Sequence, residues 1–193
     1  MRAFFKRLKK GSAGFTLAET LICVLILLMV SAIIGAAIPT AANVYTKTVD
    51  AANAQVLLST AITVLRDELG TASAVDANGT VVTYVNGETG PSMIKIGTDT
   101  AGTTILIYYG YQGDLYETDP NKTDTEKYDG YRKIVSDKAA TEGLILQYTS
   151  VSDDGKGVVT FTGLAVSKVD SSGVTNTLAG PQDVVVRAIG NNG

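Results

Sequence analysis

The longest feature of the hydropathy pattern is an uncharged run from Thr20 to Thr46 that is strongly apolar from Leu21 to Ile38. The 19 residues from Thr20 to Ile38 span roughly 28 Å as a helix, against a hydrocarbon core of about 30 Å. This predicts a transmembrane helix over about residues 20–38. Beyond it the helical period continues. Leu58, Ile62, Leu65 and Leu69 fall on one helix face, widened by Leu57, Ala61 and Val64, while Arg66, Asp67 and Glu68 lie mostly off it. Gly70 is a natural stop. One helix of some 55 residues is therefore expected over 15–70, about 80 Å long at 1.5 Å per residue. Pro39 falls inside it, removing one hydrogen bond and crowding the carbonyl of Gly35, so a kink, a melted turn or a helix end is expected there.

From Thr71 onward the period changes to two. Strands are expected at residues 81–85, 93–96, 104–109, 144–149, 158–162, 164–169 and 183–189. Asn78-Gly79, Asn86-Gly87, Asp153-Asp154-Gly155 and Ser171-Ser172-Gly173 supply the turns between them. The polar stretch 117–131 reads as a surface loop. Together these give an α+β fold. Its long N-terminal helix, membrane-spanning in its first half and kinked near Pro39, packs on a C-terminal antiparallel β-sheet head over 71–193.

Charge sharpens this picture. The chain of 193 residues carries 16 basic and 19 acidic residues. Arg2, Lys6, Arg7, Lys9 and Lys10 all precede the first acid, Glu19; without these five the remainder holds 11 basic against 19 acidic residues, a net of −8. A basic head before an apolar stretch places the N-terminus in the cytoplasm and everything after Pro39 outside. An acidic body is a poor partner for nucleic acid, and none is expected. The absence of His removes Ser–His and Cys–His catalysis, and Cys23, the single cysteine, cannot form an internal disulfide.

A basic leader followed by an apolar stretch also fits a secretory signal peptide, with a cleavage site near Thr40, Ala41 and Ala42, or a plain signal anchor. Glu19 argues against both, because a carboxylate at the lipid edge is costly. Lys9-Lys10-Gly11-Ser12-Ala13-Gly14-Phe15-Thr16-Leu17-Ala18-Glu19, followed by about twenty apolar residues, resembles the prepilin signature of type IV pilins and type II secretion pseudopilins. The resemblance covers about 30 residues and does not extend into the head. It implies removal of leader 1–14 by a prepilin peptidase that cuts after Gly14 and methylates Phe15. It also implies that Glu19, with Thr16 beside it, serves assembly and register, Glu19 pairing with the Phe15 amine of a neighbouring subunit. The partners implied are the peptidase, other pilin or pseudopilin subunits and the cytoplasmic membrane, with the mature protein in a cell-surface filament. Neither a sortase-type sorting signal nor a C-terminal disulfide is visible, which leans toward a monoderm bacterium or a minor subunit.

Other motifs carry less. Ser92-Met93-Ile94-Lys95 has the Ser-x-x-Lys spacing of acyl-enzyme hydrolases but no companion motif. Asp119, Asn121, Asp124 and Glu126 space oxygen ligands like part of a calcium loop, but Asp124 stands where the loop needs glycine and Gly130 where it needs glutamate. No cofactor is expected, with calcium the one weak candidate. Lys122, Lys127, Arg132, Lys133 and Lys138, with Tyr128 and Tyr131 among them, suggest a nucleic-acid patch that interleaved acids cancel. A non-enzymatic structural subunit is the expectation, against a signal-anchored extracellular binding module that does not polymerise.

Overall fold

The computed structural model describes residues 16–87, 91–99, 102–111, 127–135, 139, 142–170 and 172–190. The chain divides into two compact units, Met1–Thr48 and Val49–Gly193, and helix α1 (Leu17–Gly70) contributes to both. In the first unit every described residue is solvent-exposed. In the second, Ala54, Leu58, Ala61, Leu65 and Leu69 are buried, with Leu57, Ile62 and Val64 partly so. That is the apolar stripe legible in the sequence, extended one turn back by Ala54.

The 54-residue helix is unbroken at Pro39, which corrects the melted turn or helix end expected there. The ring removes one donor from the carbonyl of Gly35, and Gly35 has no side chain to crowd it. The Thr40 hydroxyl bonds the next carbonyl, Ala36, at 3.3 Å. Isolated prolines of this kind are tolerated in apolar helices.

The head holds two antiparallel sheets instead of the single one expected. The first is a meander in the order β1 (Ala74–Asn78), β2 (Val81–Val85), β3 (Pro91–Asp99), β4 (Gly102–Tyr111) and β5 (Tyr128–Lys133). The second is built on β8 (Val158–Val169). One edge of β8 pairs with β6 (Leu144–Gln147) and β7 (Ser150–Asp153) end to end, and the other edge pairs with β9 (Thr175–Arg187) along its length. Both sheets turn apolar residues to the α1 stripe: Val82, Tyr84, Ile94 and Ile107 from the first, Val159, Phe161, Val166 and Val184 from the second. A separate cluster of Met93, Leu106 and Tyr108 covers the far face of the first sheet.

Several expectations about strands are corrected. The polar stretch 117–131 does not stay a loop to its end. Tyr128 begins β5, whose Tyr131 pairs with Tyr108 and whose Tyr128 pairs with Tyr111 across β4. Aromatic cross-strand pairs compensate there for an otherwise polar composition. The expected strands 158–162 and 164–169 are one strand, β8, carried through Gly163 at φ +69. β9 begins eight residues before the expected 183, and β1 and β7 were not foreseen. Among the described residues, turns fall at two expected places: Asp154 accepts from the backbone N–H groups of Lys156 and Val158, and Asp170 from those of Ser172 and Val174. The Ser172 hydroxyl at 2.6 Å, then these backbone groups, hold the Asp170 carboxyl below the usual carboxylate range, and the Val158 and Lys156 N–H groups do the same for Asp154.

Candidate functional site

The largest chemically unusual surface is the first part of α1. Leu21, Leu27, Leu28, Ile33 and Ile38 are each more than 60 % exposed. α1 is long and apolar enough to cross a membrane. So much contiguous apolar surface is not stable in water and needs lipid or partner helices around it. Its hydroxyls are already satisfied: Thr20 donates to Thr16 O at 2.9 Å, Ser31 to Leu27 O at 2.8 Å and Thr46 to Ala42 O at 3.0 Å. With its hydroxyls bonded back to its own carbonyls, the helix presents an apolar cylinder from Leu21 to Ile38.

The charged residue at the start of this stretch is Glu19, and the structure gives it a local partner. Glu19 Oε2 accepts from the Thr16 backbone N–H at 2.9 Å and from the Thr16 hydroxyl at 2.9 Å. The Glu19 N–H in turn donates to Thr16 Oγ1 at 3.3 Å. This is a reciprocal capping box, with Thr16 as N-cap and Glu19 three residues on. It satisfies orphan donors at the helix start and sets a negative charge at the positive end of the dipole. Thr-x-x-Glu spacing before an apolar run is itself a sequence signal for such a cap. Glu19 thus has a structural task within one chain, whatever it does between chains.

The remaining sequence candidates are dispersed. Gly14 and Phe15 lie outside the described residues, as do Asp119, Asn121, Asp124 and Glu126. Among the described residues no group of three or more His, Cys, Asp or Glu is placed to hold a metal. Ser92 is buried in register with Tyr84, whereas Lys95 lies on the opposite face of β3, 5.7 Å from the Tyr108 ring. The Ser-x-x-Lys pair is therefore split across the sheet. Arg132 turns to Glu68 of α1, with 3.5 Å between guanidinium and carboxylate. Tyr128 and Tyr131 both pack against Tyr108 with tilted rings, at 5.4 and 5.8 Å between ring centres.

Two features of the head carry no motif. Glu68 accepts hydrogen bonds from Tyr84 at 3.1 Å and Tyr109 at 2.7 Å, tying the last turn of α1 to β2 and β4. Lys168 on β8 meets Asp50 on α1 at 2.7 Å. Their only sequence trace is a charge bordering an apolar stripe, because the partners are 16 to 118 residues apart.

Comparison with known proteins returns no match: no family model, no curated protein and no solved structure matches the chain. What stands is a class, an α+β protein with an exposed apolar N-terminal helix of membrane-spanning length, consistent with a membrane anchor.

Proposed function

We propose that this chain is a prepilin, the precursor of a structural subunit of a type IV pilus or of a related secretion or DNA-uptake pseudopilus. The observation that carries the reading is the described first unit: a capped helix with every residue exposed and, from Leu21 to Ile38, apolar side chains on all sides. In the precursor this surface faces lipid, and in a filament the same surface faces the helices of other copies. The Gly14–Phe15 junction and Glu19 in front of that helix support processing by a prepilin peptidase and methylation of Phe15. The five basic residues before Gly14 support a cytoplasmic N-terminus and a head outside. Processing places a protonated α-amino group at Phe15, since such a group has a pKa of about 7.7–8.0. The Glu19 carboxylate then neutralises the amine of a neighbouring copy and fixes the axial register of the bundle. The subunit has no catalysis of its own and is the substrate of the peptidase.

One observation favours the rival, a signal-anchored surface module that never polymerises. The capping box accounts for Glu19 without any second chain. N-terminal sequencing of protein recovered from membranes separates the two. The proposal expects Phe15 as first residue, N-methylated, with Gly14→Val retaining the leader. A mature chain beginning at Met1, or near Asn43 after secretory processing, contradicts it.

A further inference from the structure

β9 forms an outer edge of the second sheet, and no strand among the described residues pairs with its far side. Pro181 has no N–H to offer, so the usable edge is the run Gln182–Asp183–Val184–Val185–Val186–Arg187. The direction of its backbone groups follows from the register. β8 and β9 pair as Val158 with Arg187 through Phe161 with Val184, and the Ala188 N–H donates to Gly157 O at 2.8 Å. The pair Gly157–Ala188 is thus hydrogen-bonded, and by antiparallel alternation Val186 and Val184 also bond β8. Asp183, Val185 and Arg187 therefore turn their N–H and C=O groups outward. Their side chains are exposed too, Val185 by 55 %, while Val184 and Val186 are buried under the sheet.

Natural edges are guarded against their own copies, often by charge. An edge carrying one sign of charge repels itself. This one has an acid at one end, a base at the other and a valine midway. Antiparallel pairing with itself about Val185 sets Asp183 opposite Arg187, Val184 opposite Val186 and Val185 opposite Val185. Parallel pairing would instead put Asp183 beside Asp183. Asp183 is also held in place, its Oδ1 accepting the Gly163 N–H at 2.9 Å, which leaves Oδ2 for an arginine. At the Gln182–Val184 end a cleft of about 410 Å³ lies between the edge and α1, with Leu58, Ile62, Arg66 and Val184 in its walls, and past Arg187 the Ile189 N–H closes the edge by donating to Gly70 O at 3.0 Å.

We infer that β9 is a docking edge for a second copy of this chain, which adds antiparallel about a two-fold axis through Val185 and continues the sheet from one head into the next. Asp183 and Arg187 of each copy exchange backbone hydrogen bonds and a charge pair with Arg187 and Asp183 of the other. The occupant is assigned by this reciprocal charge pattern, and the inference uses the head alone, so it stands or falls apart from the role of α1.

Cysteine cross-linking of the full chain in membranes of expressing cells tests it. Hydrogen-bonded antiparallel partners have Cα atoms about 5.5 Å apart, within disulfide reach. In a Cys23→Ala background, Val185→Cys should give a disulfide-linked dimer on mild oxidation, while Val174→Cys, as exposed but outside the paired run, should not. Adding Arg187→Asp, or separately Asp183→Arg, turns two attractive pairs into two repulsive ones and should lower the dimer about tenfold. The exchange Asp183→Arg with Arg187→Asp restores complementarity and should restore the dimer. Equal cross-linking at Val174→Cys, single charge variants at the parental level, failure of the exchange to rescue, or a cross-link to a different polypeptide would each overturn the assignment.

Discussion

Glu68 stands in the last turn of α1, where the helix dipole disfavours a carboxylate, and it is kept there by two phenols and a guanidinium. The same arrangement acts on the phenols. Burial, together with the neighbouring carboxylate, pushes Tyr84 far above the ordinary phenol range and Tyr109 up to about 12. Tyr148, which donates to Thr80 O, is raised by burial alone. A phenol whose folded pKa is raised stabilises the fold fully below its unfolded value, near 10, and loses that contribution as pH climbs through the folded value. The head should therefore keep its stability to about pH 10 and lose it between there and about pH 12, the window set by Tyr109. In detergent-solubilised protein, tyrosinate absorbance from Tyr84, Tyr109 and Tyr148 should appear only as the circular dichroism of the head disappears. Titration of all nine tyrosines in one step with the head still folded would contradict this.

Gly163 makes β8 one element where two were expected. It sits at φ +69, and a Cβ there would lie 2.6 Å from Thr149 Oγ1, so the strand passes its bulge only with glycine. Gly163→Ala should cost about 1–3 kcal/mol from the left-handed backbone alone, read as a lower urea midpoint with an unchanged slope. An unchanged midpoint would mean that the bulge is not strained. The elements legible in the sequence are those with one buried face and regular period: the stripe Leu58, Leu65, Leu69, and β2 and β4. β5 was hidden because its side chains are mostly polar and exposed, and its pairing depends on Tyr108 and Tyr111 far along the chain. β1 and β7 are short, and Asp153 of β7 accepts the Ala77 N–H of β1, a contact no local pattern announces. At the candidate site the apolar helix was fully legible. Glu19 was legible as an anomaly, but its cap was readable only by pairing it with Thr16. The β9 edge needed the register before Asp183 and Arg187 acquired meaning.

At the scale of the whole molecule, a basic N-terminal sequence, an apolar helix and an acidic remainder follow one another along the chain. From Leu21 to Ile38 the helix of the first unit has no water-compatible face, and the second unit has its own core. The central claim is that the apolar helix ends among the helices of other copies, with Glu19 answering a neighbour's amine. Glutamine separates that role from the cap, because a capping box accepts Gln as well as Glu at its third position. Glu19→Gln keeps the local bonds to Thr16 and removes the charge, whereas Glu19→Ala removes both. An ordinary anchor would insert at least as well with either, since the carboxylate at the lipid edge is gone. The deciding measurement is the amount of this subunit in sheared surface filaments relative to the membrane pool, for Glu19→Gln in otherwise unchanged cells. The account predicts a head that still reaches the outside, a leader still cleaved after Gly14, and filament incorporation reduced at least about tenfold, because an uncompensated amine packed among helices costs several kcal/mol. Parental incorporation of Glu19→Gln would show that Glu19 only caps its own helix, and would contradict the account.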